Sequence, residues 1–147
     1  LTFALAALLA GAAGCSDSKS GAEHFVGTWT YAGMITPNCG TTAVNPIDLT
    51  GYSATITEID SSHITVALGT VCTVKFDVDG FSASAEANQS CMFDVGTFGP
   101  QTVSITKWTL KSTGADTLTS DFSGTAIICT ATGAGTLSRV GDAGAVD

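Results

Sequence analysis

An all-β fold is what this sequence predicts, an antiparallel up-and-down barrel of about eight to ten strands with a β-sandwich as the alternative. Three observations predict it. Apolar and polar residues alternate with period two along most of the chain, as in Tyr52-Ser53-Ala54-Thr55-Ile56-Thr57, which wets one face of each strand and buries the other. Turn residues recur at intervals of about ten, and Thr, Val, Ile and aromatics fill the stretches between them. No helical repeat competes.

Taken in order, Val26 to Ala32 forms the first strand, and a long loop through Pro37-Asn38-Cys39-Gly40 leads to Pro46. The strand around Tyr52, Ala54 and Ile56 turns at Asp60-Ser61-Ser62 into Ile64, Val66 and Leu68, a hairpin. Gly69-Thr70 reverses the chain again, so that Cys72, Val74, Phe76 and Val78 face inward. Asp79-Gly80 reads as a two-residue hairpin loop, because that pair tolerates the positive φ of a type I′ turn. Phe81, Ala83, Ala85 and Ala87 then continue the inner face, and Asn88-Gln89-Ser90 turns the chain into Cys91, Phe93 and Val95.

Gly96 to Pro100 is a loop before a long strand from Gln101 to Lys111. Its apolar parity switches between Val103/Ile105 and Trp108/Leu110. A strand changes faces only by inserting a residue, so a β-bulge is predicted near Thr106 or Lys107. Ser112 to Asp116 turns into Leu118, Phe122, Ala126 and Ile128, and a last strand interrupted by Gly133 and Gly135 carries Leu137 and Arg139. Tight turns favour the barrel. A sandwich needs long crossovers, and only Thr36 to Leu49 is long enough to suggest one.

The 147 residues fit one domain, and 13 acidic against 5 basic residues give a net charge of −8. Nucleic acid is excluded as a partner, since phosphate backbones demand clustered Lys and Arg. Cys39, Cys72, Cys91 and Cys129 are spread singly, whereas zinc sites usually pair their ligands a few residues apart. Two disulfides are expected, and no metal or cofactor. If Asp79-Gly80 and Asn88 to Ser90 are both hairpin loops, Cys72 and Cys91 flank Ala87 at about 9 to 10 Å. That is beyond the roughly 7 Å that a bridge allows. The expected pairs are therefore Cys39–Cys72 and Cys91–Cys129, although up-and-down counting puts Cys129 at the opposite end from the other three.

The first residues supply an address. Leu1 to Ala13 is uncharged, and Leu8-Leu9-Ala10-Gly11-Ala12-Ala13-Gly14-Cys15 ends in small residues directly before a cysteine. This stretch resembles the lipobox of bacterial lipoproteins. The resemblance implies a signal peptide over residues 1–14, clipped at its start, and a diacylglycerol on the Cys15 thiol after cleavage. It also implies further acylation, typically by palmitate, at the new amine. The run is shorter than the roughly 20 residues that a transmembrane helix needs. Removing Cys15 from five cysteines leaves an even four. Residues 15–24 then form a lipidated tether, 25–140 the barrel and 141–147 a disordered tail. Ser16, rather than Asp, behind the lipid-bearing residue implies sorting to the outer membrane.

Phe25-Val26-Gly27-Thr28-Trp29 resembles the opening of lipocalin-like barrels, in which a G-x-W enters the first strand. In that family a basic residue of the last strand packs across the indole. The resemblance implies barrel closure by Gly27, Trp29 and Arg139. The lipobox, Ser-rich tether, Gly-Thr-Trp start and spread cysteines together resemble cell-envelope lipoproteins of myxobacterial type, which implies a location without an activity.

No catalytic constellation emerges. Asp77-Val78-Asp79-Gly80 lacks the later ligands of a calcium loop, and Asn88-Gln89-Ser90 reads as a turn rather than a glycan acceptor. His24 and His63 have no visible partner for triad chemistry. The expected function is a membrane-anchored, non-catalytic structural or interaction domain whose partners are the membrane, through its lipid, and an envelope protein. The alternative is a carrier, in which Ala83, Ala85 and Ala87 leave room inside for a small apolar molecule.

Overall fold

The computed structural model describes residues 21–141. The leader, the Cys15 lipidation site and all but the first residue of the expected tail lie outside the described residues. Ten strands follow a short 3₁₀ turn at Gly21–His24: β1 (Gly27–Asn38), β2 (Ile47–Asp48), β3 (Ser53–Asp60), β4 (His63–Leu68), β5 (Cys72–Asp79), β6 (Ser82–Ala85), β7 (Ser90–Asp94), β8 (Pro100–Gly114), β9 (Thr117–Thr125) and β10 (Thr130–Arg139). All pairings are antiparallel, and β10 returns to pair with β1 along ten residues, from Trp29↔Arg139 to Asn38↔Thr130. The sheet is a closed barrel.

Ten strands make eight barrel positions. β2 and β3 lie one after the other along the same side of β1, linked by the Leu49 and Gly51 amides donating to the Gly33 and Tyr31 carbonyls. β6 and β7 likewise succeed each other along β8, opposite Lys111–Thr109 and then Ser104–Pro100. The sandwich alternative is set aside, because the loop after β1 joins neighbours rather than crossing over. β1 also runs farther than expected, through Pro37. Odd-numbered residues of β1 turn their backbone groups away from β10, as the Tyr31 amide does in donating to Tyr52. The ring nitrogen of Pro37 therefore faces the side beyond the end of β2, where no ladder bond is lost.

Four expectations are corrected in the β5–β7 region. Asp79 pairs with Ser82, so the hairpin loop is Gly80-Phe81 rather than Asp79-Gly80. Phe81 thus leaves the inner face and is 61% exposed. Asn88 to Ser90 does not reverse the chain: Asn88 takes a positive φ of 61°, and the strand resumes in its former direction as β7. Ala87 is exposed as a consequence.

With that reversal removed, all four cysteines fall at one end of the barrel. The bridges are Cys39–Cys129 and Cys72–Cys91, with Cα separations of 4.2 and 4.8 Å. The expected pairs Cys39–Cys72 and Cys91–Cys129 are overturned because Cys91 lies directly beside Cys72, not two strands away. In β8 the ladder shifts register between Ile105 and Lys107, which accommodates the parity switch of its sequence. Gly21–His24, expected as tether, packs onto the barrel and buries Ala22 completely.

The interior is lined by inward residues of every barrel position. Tyr31, Phe76, Phe93, Trp108, Leu110, Leu118, Phe122 and Leu137 are all at most 5% exposed. Phe76 meets Trp108 edge-on at 5.2 Å between ring centroids, and Trp108 meets Phe122 at 5.9 Å. Gly135 gives Tyr31 its socket, since a Cβ there would come within 2.7 Å of the phenol ring.

Candidate functional site

The closed end of the barrel is built by the N-terminal segment. The Phe25 and Val26 amides both donate to the Ala22 carbonyl, and the Ala22 amide reaches the Ser61 carbonyl in the β3–β4 turn. This places Phe25, fully buried, as a plug. Burying such a side chain contributes roughly 1.5 to 3 kcal/mol. The Trp29 indole N–H donates to the Phe25 carbonyl at 2.8 Å.

Arg139 locks the plug from outside. It stands opposite Trp29 in the β1–β10 ladder, and its guanidinium carbon lies 4.2 Å from the indole centroid. One terminal nitrogen donates to the Val26 carbonyl at 2.7 Å, and Nε donates to the Ala115 carbonyl at 3.1 Å. Nε is also 3.5 Å from the Asp116 carboxylate. Gly27 has φ of 141°, and Arg139 fills the space that a Cβ at this position would take. Only glycine meets both conditions. The three residues read from the sequence as a closure thus meet at one point.

Beside this closure a cavity of about 540 Å³ is bounded by Glu23, His24, Phe81, Gly114 and Arg139. His24 and Phe81 stack with centroids 4.2 Å apart. The cavity is an outer depression at the closed end, and none of the residues that line it is buried.

Deeper in, one hydroxyl organises the polar part of the core. Ser120 is 2% exposed; its Oγ accepts the Trp108 indole N–H at 2.9 Å and lies 3.3 Å from the Tyr31 hydroxyl. Burial pushes the Tyr31 phenol above its ordinary value; the bond to Ser120 partly offsets this, and the nearby Asp121 charge adds to it. Sequence reading missed Ser120, because an even-numbered serine in β9 looks like any other strand serine until its neighbours are known.

At the opposite end lie both disulfides and the β9–β10 loop, where Ile127 and Ile128 are 96% and 55% exposed. His63 begins β4 on the outer wall, and its Nδ1 is 2.7 and 2.8 Å from the two Asp60 oxygens. The hydrogen bond that the ring donates to Asp60 raises the His63 imidazole above its usual value. In return, the Ser62 amide and then His63 hold the Asp60 carboxyl low. The expected absence of a histidine partner is corrected by this pair. The partner was three residues away, but a shared orientation on a bulged strand end has no linear signature.

The architecture defines a class: a closed, eight-position up-and-down β-barrel of lipocalin-like form, with its end sealed by Phe25, Trp29 and Arg139. Compared with family models, curated proteins and solved structures, the chain matches none.

Proposed function

We propose that this chain is an envelope lipoprotein, anchored by acylation of Cys15, whose barrel is a non-catalytic structural or interaction module. The observation that carries the module reading is the filled interior. Trp108, Phe76, Phe122 and Tyr31 are buried inside the barrel, where Ala83, Ala85 and Ala87 were expected to leave room, and Phe25 and Trp29 plug the closed end. A carrier needs an accessible internal void of a few hundred Å³. The 540 Å³ depression at the closed end lies outside the plug.

The location rests on the lipobox of the sequence and is supported by the two disulfides, which persist in oxidising compartments. Gly21 enters at the closed end, and the six residues from Cys15 to Ser20 reach at most about 20 Å. In this reading the closed end faces the bilayer, and the disulfide end with Ile127 and Ile128 projects away from it to meet partners.

Intact mass measurement of protein extracted from its own envelope tests both parts. Diacylglycerol and acyl mass on a chain beginning at Cys15 is expected, and its loss in Cys15→Ser. An unacylated chain that keeps its leader would refute the anchor. A stoichiometric apolar molecule retained under native conditions would replace the module reading with the carrier.

A further inference from the structure

On the outer wall, three neighbouring strands bring His63, Asp77 and Glu86 together. His63 and Asp77 are directly paired across β4 and β5, and Glu86 follows the last residue of β6. One ligand atom from each lies within 4.8 Å of the others. Nε2 of His63 is 3.2 Å from the Asp77 carboxylate, while Nδ1 faces Asp60. Both ring nitrogens therefore face carboxylate oxygens. A neutral imidazole carries one N–H and can satisfy only one of them; the other contact calls for a second proton or a cation.

A second proton on His63 would match only one of three neighbouring carboxylate charges, and the two left over favour a cation. Asp60, Asp77 and Glu86 surround a single imidazole, and among the described residues no Lys or Arg stands within 4.0 Å of their carboxylates. The geometry is also held in place. The Gln89 amide donates to the Glu86 and Lys75 carbonyls, and the Glu86 amide donates to Lys75. Asp60 on Nδ1 is the outer carboxylate that commonly fixes a metal-binding histidine and strengthens its other nitrogen as a donor.

We propose that Nε2 of His63 and the carboxylates of Asp77 and Glu86 form a site for a divalent transition-metal cation of the zinc class, with Asp60 as the positioning residue. One nitrogen and two carboxylate oxygens suit zinc, with a fourth position open to water or to a donor from another molecule. Calcium would demand six to eight oxygens and gain little from an imidazole. This inference departs from the sequence expectation of no metal, and it stands independently of the lipoprotein reading.

The test is calorimetric titration of the metal-stripped, disulfide-intact full chain with ZnCl₂ and with CaCl₂. One saturable zinc site is expected, tighter than any calcium binding. His63→Ala should abolish it, Glu86→Gln should weaken it, and Asp60→Asn should weaken it roughly 10- to 100-fold. His24→Ala should leave it unchanged. All four side chains are on the surface, so near-ultraviolet circular dichroism should find every variant folded. As a check that needs no variant, Co²⁺ should perturb the His63 ring resonances before those of His24. Absence of a saturable zinc site, equal affinity in His63→Ala, calcium binding as tight as zinc, or prior perturbation of His24 would each overturn the proposal.

Discussion

The side-chain amide of Gln89 completes the backbone ladder of Lys75. Its Oε1 accepts the Lys75 amide at 2.7 Å, and its Nε2 donates to the Lys75 carbonyl at 2.8 Å. A primary amide has the same donor and acceptor as a peptide group, so one side chain spans the gap where the chain bulges between β6 and β7. This is what allows the strand to leave the ladder at Ala85 and rejoin it at Ser90 without opening the barrel wall.

Gln89→Leu removes both groups while keeping the bulk. Three bonds are lost, the third being to the Glu86 carbonyl; each net hydrogen bond contributes about 0.5 to 1.5 kcal/mol, so a loss of about 1.5 to 4.5 kcal/mol is expected in denaturant unfolding. Faster hydrogen exchange should be confined to the Lys75 and Glu86 amides. Unchanged exchange at both would show that the clamp holds nothing.

Ser120→Ala should orphan the Trp108 N–H and the Tyr31 hydroxyl inside the core. A buried unsatisfied group costs about 1 to 3 kcal/mol, which places this substitution among the most damaging single-atom deletions in the molecule. Ser120→Thr keeps the oxygen, and its stability should be the higher of the two.

Tyr31 also makes stability depend on alkaline pH. Its folded value is raised above the ordinary 10.0, so the folded state retains a proton that the unfolded chain gives up. The corresponding stabilisation is complete below pH 10 and is lost as pH rises from there through the folded value. Tyrosinate absorbance in a Tyr52→Phe background should show late ionisation of Tyr31, coincident with unfolding. Early, independent ionisation would contradict the burial.

Arg139→Lys should behave almost like Arg139→Ala. A lysine presents no planar fork to hold the Val26 and Ala115 carbonyls while lying over the indole. The cation–π contact contributes roughly 0.5 to 2 kcal/mol, and the lost hydrogen bonds add to it. A lowered melting temperature and a red-shifted Trp emission are expected for both variants. Full rescue by lysine would reduce the closure to simple charge.

The bridges should differ in weight. Cys39–Cys129 closes a span of 90 residues and Cys72–Cys91 one of 19. Chain entropy alone assigns them about 4.5 and about 3 kcal/mol. The Cys39→Ala/Cys129→Ala pair should therefore unfold at lower denaturant than Cys72→Ala/Cys91→Ala; the reverse order would show that native packing outweighs the loop term.

Period-two alternation, dense turn residues and the parity switch at Thr106 were enough to determine an antiparallel all-β fold, with a barrel favoured over a sandwich, the inward residues in β3, β4, β5 and β8, and the bulge in β8. These are local properties, because a strand records in its own side chains which face it buries. Gly27, Trp29 and Arg139 were legible as a closure through their resemblance to a known opening motif. Only the tertiary structure decided that the hairpin loop is Gly80-Phe81, which exposes Phe81, and that the chain keeps its direction after Asn88, which sets the disulfide pairs, the exposure of Ala87 and the Gln89 clamp; it alone also brought His63 to Asp77 and Glu86. A turn and a bulge draw on the same residues. Choosing between them depends on which arrangement lets the neighbouring strands close their hydrogen bonds, and those partners lie far away along the chain.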